Sequence, residues 1–391
     1  MYCNPSRCLW VSCSAFHSSY IIMTVFKSSK LALGSLAVVS FLQPVLSQGP
    51  TYYLDQSCRN RAGFSDIFPE VITAAQQIWD DIPGGATASQ HPQLNGWLQL
   101  FFGTGFGDLE NPNAPYDSNT NKYWTDYIKT VYGRMKDMQE ITTVRNADIR
   151  IYCDGQSRYQ AVDQQGNPIT SPTPGTLAFN QTLFYDSVND AASPGEALNC
   201  LRNSQRPIGG PFASANYNIG QNFEILRRNR WAASTQNSQR VTINFCESTF
   251  MYAAAGGRPG PPLYSWRSWL ASGKVGRFRE LAIISPMAPQ VLVHELTHTP
   301  QIGQLTFGST GRNYRVCLDA HVPNAANPNN VIWGYYQKGN PRTLGERVRT
   351  PYTIGNADSY GYTLMLYRMR QDRYDYSRPN NAGPLLIRRV P

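Results

Sequence analysis

The stretch PQVLVHELTHTP, from Pro289 to Pro300, decides how this sequence is interpreted. Proline is tolerated in the first turn of a helix and disrupts its interior, so the two prolines predict where a helix begins and ends. His294 and His298 are four residues apart and therefore project from one face of that helix. The valines and leucine before His294 predict that the helix is buried, and a buried polar face needs a partner.

The spacing His-Glu-x-x-His is typical of zinc metallopeptidases. Two imidazoles one turn apart can bind one metal ion, and Glu295 between them can act as a general base on a metal-bound water. We therefore expect one Zn²⁺ ion bound by His294 and His298, and hydrolysis of peptide bonds. The alternative from the residues alone is an amphipathic helix whose two histidines face solvent.

A zinc site of this kind needs a third protein ligand. Gln301 and Gln304 stand where metzincins carry a glycine and a third histidine, which excludes that group. Glu346 is the only glutamate after His298, in a segment predicted to be a loop. The other carboxylates after the helix are Asp319, Asp358, Asp372 and Asp375.

Two segments, HELTHTP from His294 and NADSY from Asn356, resemble motifs of the deuterolysin-type (aspzincin) fungal metalloendopeptidases and the related lysine-specific metalloendopeptidases. The resemblance implies an α+β fold with a single, loop-rich, zincin-like metallopeptidase domain, in which a small sheet accompanies a helical active-site half. It also implies endopeptidase action on peptide or protein substrates. The second function left open is a secreted zinc-binding protein with a degenerate peptidase fold and no hydrolytic activity.

The family also carries Gly-Thr-x-Asp-x-x-Tyr-Gly after the zinc helix, and the corresponding segment from Gly308 to Gly311 lacks the aspartate. By analogy we expect Asp319 as the third zinc ligand and Tyr335 as the phenol that hydrogen-bonds the oxyanion. His321 is a nearby substitute ligand that the family does not favour. Asp358 is expected to bind a cationic substrate side chain, to replace Asp319 as the ligand, or simply to complement a helix dipole.

The N-terminal region has the pattern of a secretory signal peptide. Lys27 and Lys30 precede an apolar stretch over 31–42, and Val45 and Ser47 supply small residues before a cleavage point after Ser47. A buried core helix is the alternative.

We therefore expect a signal peptide over 23–47, a single domain over 48–391 and a secreted, extracellular protein. Met23 is a suitable start for such a leader, which makes residues 1–22 a candidate for an over-extended gene model.

Composition limits the kinds of molecule that this protein is expected to bind. The 391 residues carry a net charge of +9, but the basic residues are scattered, which argues against nucleic-acid binding. No other run of about 18 apolar residues occurs, so we expect no membrane span, and we expect a monomer. The sequence after residue 47 has five cysteines, enough for two disulfides and one remaining thiol. Asn180-Gln181-Thr182 is an N-glycosylation sequon, which is either modified or left unmodified.

Apolar periodicity predicts helices over 68–79, 123–141 and 357–370. Alternation predicts a β-hairpin formed by 147–153 and 158–162, and a further strand over 241–246. Turn-forming residues dominate between 163 and 240, so we expect long surface excursions there.

Overall fold

The computed structural model divides the chain into Met1–Ser47 and Gln48–Pro391. The predicted signal peptide and the over-extended start fall in the first unit, outside the described residues, and the fold below is that of the second unit. The structure describes residues 49–82, 91–103, 116–117, 122–154, 158–189, 191–195, 198–202, 213–217, 241–246, 249–250, 266–271, 287–305, 317, 322–324, 327–332, 354–377 and 386–389.

A five-stranded sheet forms the centre of the fold. Its strands, in spatial order, are β4 (Gln139–Glu140), β1 (Thr51–Leu54), β5 (Ile149–Tyr152), β10 (Val241–Phe245) and β9 (Ala213–Tyr217). The first four run parallel, and β9 pairs antiparallel with β10 at the edge. All the residues of β5 and β10 are buried, as expected for parallel strands covered on both faces.

Long helices cover one face of this sheet. They are α2 (Ile67–Asp81), α3 (Pro92–Phe102), α4 (Trp124–Lys136), α8 (Ala288–Thr297) and α10 (Ala357–Gln371). Ile149 and Ile151 of β5 and the alternate residues of β10 face the helices within one apolar core. The predicted helices at α2 and α10 are confirmed; α4 is also confirmed but ends at Lys136, five residues before the predicted end.

The other face of the sheet packs against a second sheet of three strands: β6 (Tyr159–Val162), β7 (Leu183–Asp186) and β8 (Ala191–Pro194). The predicted hairpin is therefore wrong, because β5 pairs with β1 and β10 whereas β6 pairs with β7. Part of the predicted surface excursion is also ordered structure, with its own small apolar cluster around Phe179 and Phe184.

A buried polar network joins the two sheets. Arg158 contacts Asp154, Asp186 and Asn244, with Nη2 donating to the Asn244 side chain at 2.6 Å. Asn189 accepts from Arg150 at 2.7 Å and from the Tyr152 hydroxyl at 3.0 Å. Arg150 and Tyr152 of β5 lie on the face of the strand away from the helices. Because their polar atoms need hydrogen-bond partners, this face needs a polar surface opposite it, and the second sheet provides one.

The remaining elements are short. Among the described residues they are α1 (Gln56–Arg59), α5 (Leu177–Gln181), α6 (Asn199–Arg202), α7 (Trp266–Ala271), α9 (Pro300–Gly303), a 3₁₀ turn (Val144–Asn146) and the paired strands β2 (Tyr116–Asp117) with β3 (Lys122–Tyr123), β11 (Val322–Asn324) with β12 (Asn327–Ile332), and β13 (Tyr374–Ser377) with β14 (Leu386–Arg389). The mixed α and β content agrees with the expected α+β class.

Two disulfides link distant segments, as the cysteine count predicted. Cys58 pairs with Cys153 and Cys200 pairs with Cys246, which leaves Cys317 as a buried free thiol. Within the ranges given above, no helix combines the length and the apolar character needed to cross a lipid bilayer.

Candidate active site

Helix α8 carries the predicted motif, and its end is tightly built. Pro289 lies in the first turn and the helix ends at Thr297, so Pro300 is not its direct stop; instead Pro300 begins the short helix α9. The Thr297 hydroxyl donates to the His294 carbonyl at 2.7 Å. A Cβ on Gly303 would lie 1.7 Å from the Thr297 carbonyl oxygen, so only glycine permits this close turn.

His294 is oriented by a carboxylate on the neighbouring helix α10. Its Nδ1 lies 2.8 Å from Oδ1 of Asp358, and the Asp358 residue is only 2% exposed. Gln290, one turn before His294 on α8, donates from Nε2 to the same Oδ1 at 3.3 Å. Asp358 therefore joins α8 to α10 through two side chains on one face of α8.

The segment that carries Asp358 is held by hydrogen bonds to main-chain carbonyls. Ser359 Oγ donates to the Phe101 carbonyl at 3.0 Å, the Tyr360 hydroxyl donates to the Ile354 carbonyl at 2.9 Å, and the Tyr132 hydroxyl donates to the Tyr360 carbonyl at 2.9 Å. Burial raises the pKa of both tyrosines well above the ordinary value, so both hydroxyls stay protonated as donors. These three hydrogen bonds fix the main chain next to Asp358.

His298 is anchored by the main chain. Its Nδ1 lies 2.7 Å from the carbonyl oxygen of Cys317, and the Cys317 amide donates to the Thr297 carbonyl at 3.1 Å. Burial raises the pKa of the Cys317 thiol to about 12, which keeps it neutral and unreactive at physiological pH. Arg134 of α4 donates to the carbonyls of Ile302 and Gln304 and fixes the following turn.

The two imidazoles meet at Nε2, 3.1 Å apart, with their rings nearly perpendicular. A carbonyl oxygen can only accept, so Nδ1 of His298 carries a proton, and in the neutral ring Nε2 is then an acceptor. The two Nε2 atoms converge on one point, and Nδ1 of His294 faces the Asp358 carboxylate.

Glu295 lies between the two histidines in sequence and is 7% exposed. Consecutive helical residues are separated by about 100° around the axis, so Glu295 projects beside the histidine pair rather than from the same line. The structure therefore gathers the predicted residues His294, Glu295, His298 and Asp358 where α8 packs on α10.

The geometry of the described residues contradicts the zinc ion that the sequence predicts. In the part of the chain that the structure describes, no group of three or more His, Cys, Asp or Glu side chains is placed to hold a metal ion. His294 and His298 supply two converging nitrogens, whereas Asp358 contacts the opposite nitrogen of His294. A catalytic zinc site uses three protein ligands, so the donor set that the described residues supply does not fit the ion.

Three residues considered from the sequence, Asp319, His321 and Tyr335, lie outside the described residues. The sequence analysis did not predict two contacts of the histidines' surroundings: that of Gln290 with Asp358 and that of the Cys317 carbonyl with His298. Gln290 is four residues before His294, a spacing that could have placed it on the same face. The Cys317 carbonyl has no sequence signal, because every residue carries one.

No protein-family model, no curated protein and no solved structure matches this chain.

Proposed function

We propose that this chain is a secreted, monomeric endopeptidase, on the basis of motifs that resemble those of the deuterolysin-type enzymes, with the polar face of α8 as its active centre. The observation that carries the proposal is the contact between the Nε2 atoms of His294 and His298 at 3.1 Å, with each Nδ1 atom held by a separate partner. Such double anchoring fixes two ring orientations at once, which is what a preorganised catalytic site needs.

In this proposal His294 is protonated on both nitrogens, and the proton between the two Nε2 atoms is the electrophile. When the carbonyl oxygen of a peptide approaches the pair, that proton hydrogen-bonds the oxygen and stabilises the negative charge that develops on it. Asp358 balances the charge of His294 and holds its ring in place. Because Asp358 is buried, its interaction with His294 is stronger than it would be in water.

Glu295 is the general base. Its carboxylate accepts a proton from a water molecule as the water oxygen bonds to the carbonyl carbon. The carbon–nitrogen bond then breaks, and the proton held by Glu295 passes to the leaving amine. The products are one carboxylic acid and one amine for each water consumed, so atoms and charges balance.

The test is hydrolysis of labelled casein and of an internally quenched peptide by the purified protein. Glu295→Gln keeps the size of the side chain but removes the base, and we expect the rate to fall by about 10²–10⁴-fold with an unchanged circular dichroism spectrum. Glu140→Gln, at an exposed glutamate of β4, is the matched control and should keep full activity.

Two results would overturn the proposal. A wild-type protein that hydrolyses neither substrate is not an endopeptidase. Activity that a chelator abolishes and an added divalent cation restores would contradict the metal-independent proton transfer while leaving Glu295 as the base.

A further inference from the structure

The sequon Asn180-Gln181-Thr182 is the only one in the chain, and the peptidase proposal does not use it. It lies at the end of α5 and in the residue that follows, with Thr182 as the C-cap. The sequence predicts a surface excursion for this region. The structure instead places the acceptor on an ordered helical turn, so the orientation of the Asn180 side chain is defined.

Helix α5 is firmly attached to the second sheet. Thr176 caps its first turn by accepting from the Phe179 amide at 3.1 Å. Phe179 is fully buried in the small apolar cluster, and a Cβ on Gly195 would lie 2.1 Å from the Phe179 carbonyl oxygen. These contacts hold the helix in an orientation in which Leu177 faces outward.

The outward face of α5 carries an exposed apolar side chain. Among the described residues three large hydrophobic side chains are exposed, and Leu177 is the most exposed of them at 71%. Leu177 and Asn180 are three residues apart, so they are neighbours on one face of the helix. A group attached to Asn180 would lie over Leu177.

The Asn180 amide has one buried end. Its Oδ1 atom is buried and has no hydrogen-bond partner in the described part of the chain, whereas the Asn180 residue as a whole is partly exposed. The two atoms are on opposite branches of a planar amide, so turning Oδ1 inward directs Nδ2 outward. Nδ2 is the atom to which an N-linked glycan is joined.

We propose that Asn180 carries an N-linked glycan that covers Leu177. The glycan is attached through Nδ2, and the two disulfides are consistent with the oxidising compartment in which such glycans are added. The hydrated sugar then shields an apolar side chain that the fold leaves in water. This inference is independent of whether the protein hydrolyses peptides.

The experiment uses the full chain expressed in a eukaryotic host that secretes proteins. The wild type should lose one glycan on treatment with peptide N-glycosidase F, and intact mass should show that the single modified site is converted to aspartate. Asn180→Gln and Thr182→Ala should lack the glycan. Thr182→Ser and Gln181→Ala, which keep the sequon, should retain it.

The shielding is measured by binding of a hydrophobic dye. Enzymatic removal of the glycan should increase dye binding by the wild type, and the same treatment should produce no increase in Leu177→Ser. A chain with both disulfides formed but no glycan, or a chain that never enters the secretory pathway, would refute the proposal. A glycan whose removal leaves dye binding unchanged would refute the covering of Leu177.

Discussion

The side chains of His294 and Asp358 form the contact on which the candidate site depends most. The carboxylate is almost fully buried, and its Oδ1 accepts from both His294 and Gln290. Its other oxygen, Oδ2, has no hydrogen-bond partner within the described ranges. The contacts with His294 and Gln290 are therefore the described interactions that compensate for burying this carboxylate.

Asp358→Asn should reduce kcat by about 10²-fold or more, because a neutral amide cannot balance a protonated His294. We expect KM to change little, since Asp358 contacts the imidazole. In histidine-labelled protein, the ¹⁵N shifts of His294 should move from those of a cationic ring to those of a neutral one. Asp80→Asn, which removes the same charge from an exposed position of α2, is the control. An unchanged His294 spectrum would contradict the assignment.

At the scale of residues, the sequence predicted the side chains of the site better than their partners. Helical spacing alone puts His294, Glu295 and His298 on adjoining faces, because the geometry of a helix is local. The partner of His298 is a main-chain atom from a segment 19 residues away. No local pattern encodes such a contact.

The packing of α8 against α10 is the element-scale feature that brings the site together. The two helices approach each other closely at Gly361, where a Cβ would lie 3.0 Å from both Nε2 and the carbonyl oxygen of Gln290. A side chain here would press on the residue that hydrogen-bonds Asp358. The close packing of the two helices therefore depends on glycine, which has no side chain, at position 361.

Gly361→Ala should lower the free energy of unfolding by about 1–3 kcal/mol, because the added methyl group overpacks the interface. It should also lower activity, since Gln290 must shift. Gly96→Ala makes the same substitution in α3, where a Cβ would meet nothing within 4 Å, and should stabilise by about 0.5–1 kcal/mol through helix propensity. Urea denaturation of the two variants tests this; equal effects would contradict the close packing at Gly361.

Apolar periodicity predicted α2, α4 and α10 to within five residues at each end, since each helix shows its buried face in its own sequence, and the two prolines predicted α8. The same approach failed for β5 and β6. Both alternate as a hairpin would, but their pairing is decided by which partners cover the polar face of β5, and those partners are far along the chain.

The whole molecule contains a buried thiol and several buried tyrosines that stay protonated in the folded state. The pKa of Cys317 rises from 9.0 to about 12 on burial, and those of Tyr132 and Tyr360 also rise. An unfolded chain ionises these groups at lower pH than the folded one. The contribution of these groups to stability is therefore complete below pH 9 and is lost as the pH increases above it.

Urea denaturation between pH 7 and pH 11 measures this loss. The contribution of Cys317 is about 1.4 kcal/mol for each pH unit between 9 and 12, because one proton is released only on unfolding. Cys317→Ala should therefore lose stability less steeply than the wild type above pH 9, with the tyrosines unchanged as an internal reference. Identical slopes for the two proteins would contradict the elevated pKa.

The different anchors of the two histidines also affect how the site can evolve. Every amino acid at position 317 offers a carbonyl oxygen, so the support of His298 survives any replacement that the buried space accommodates. The support of His294 depends on one carboxylate and disappears with it. Position 317 should therefore tolerate many substitutions, whereas position 358 should tolerate very few. In a library of random variants that keep activity, we expect far more sequence variation at 317 than at 358.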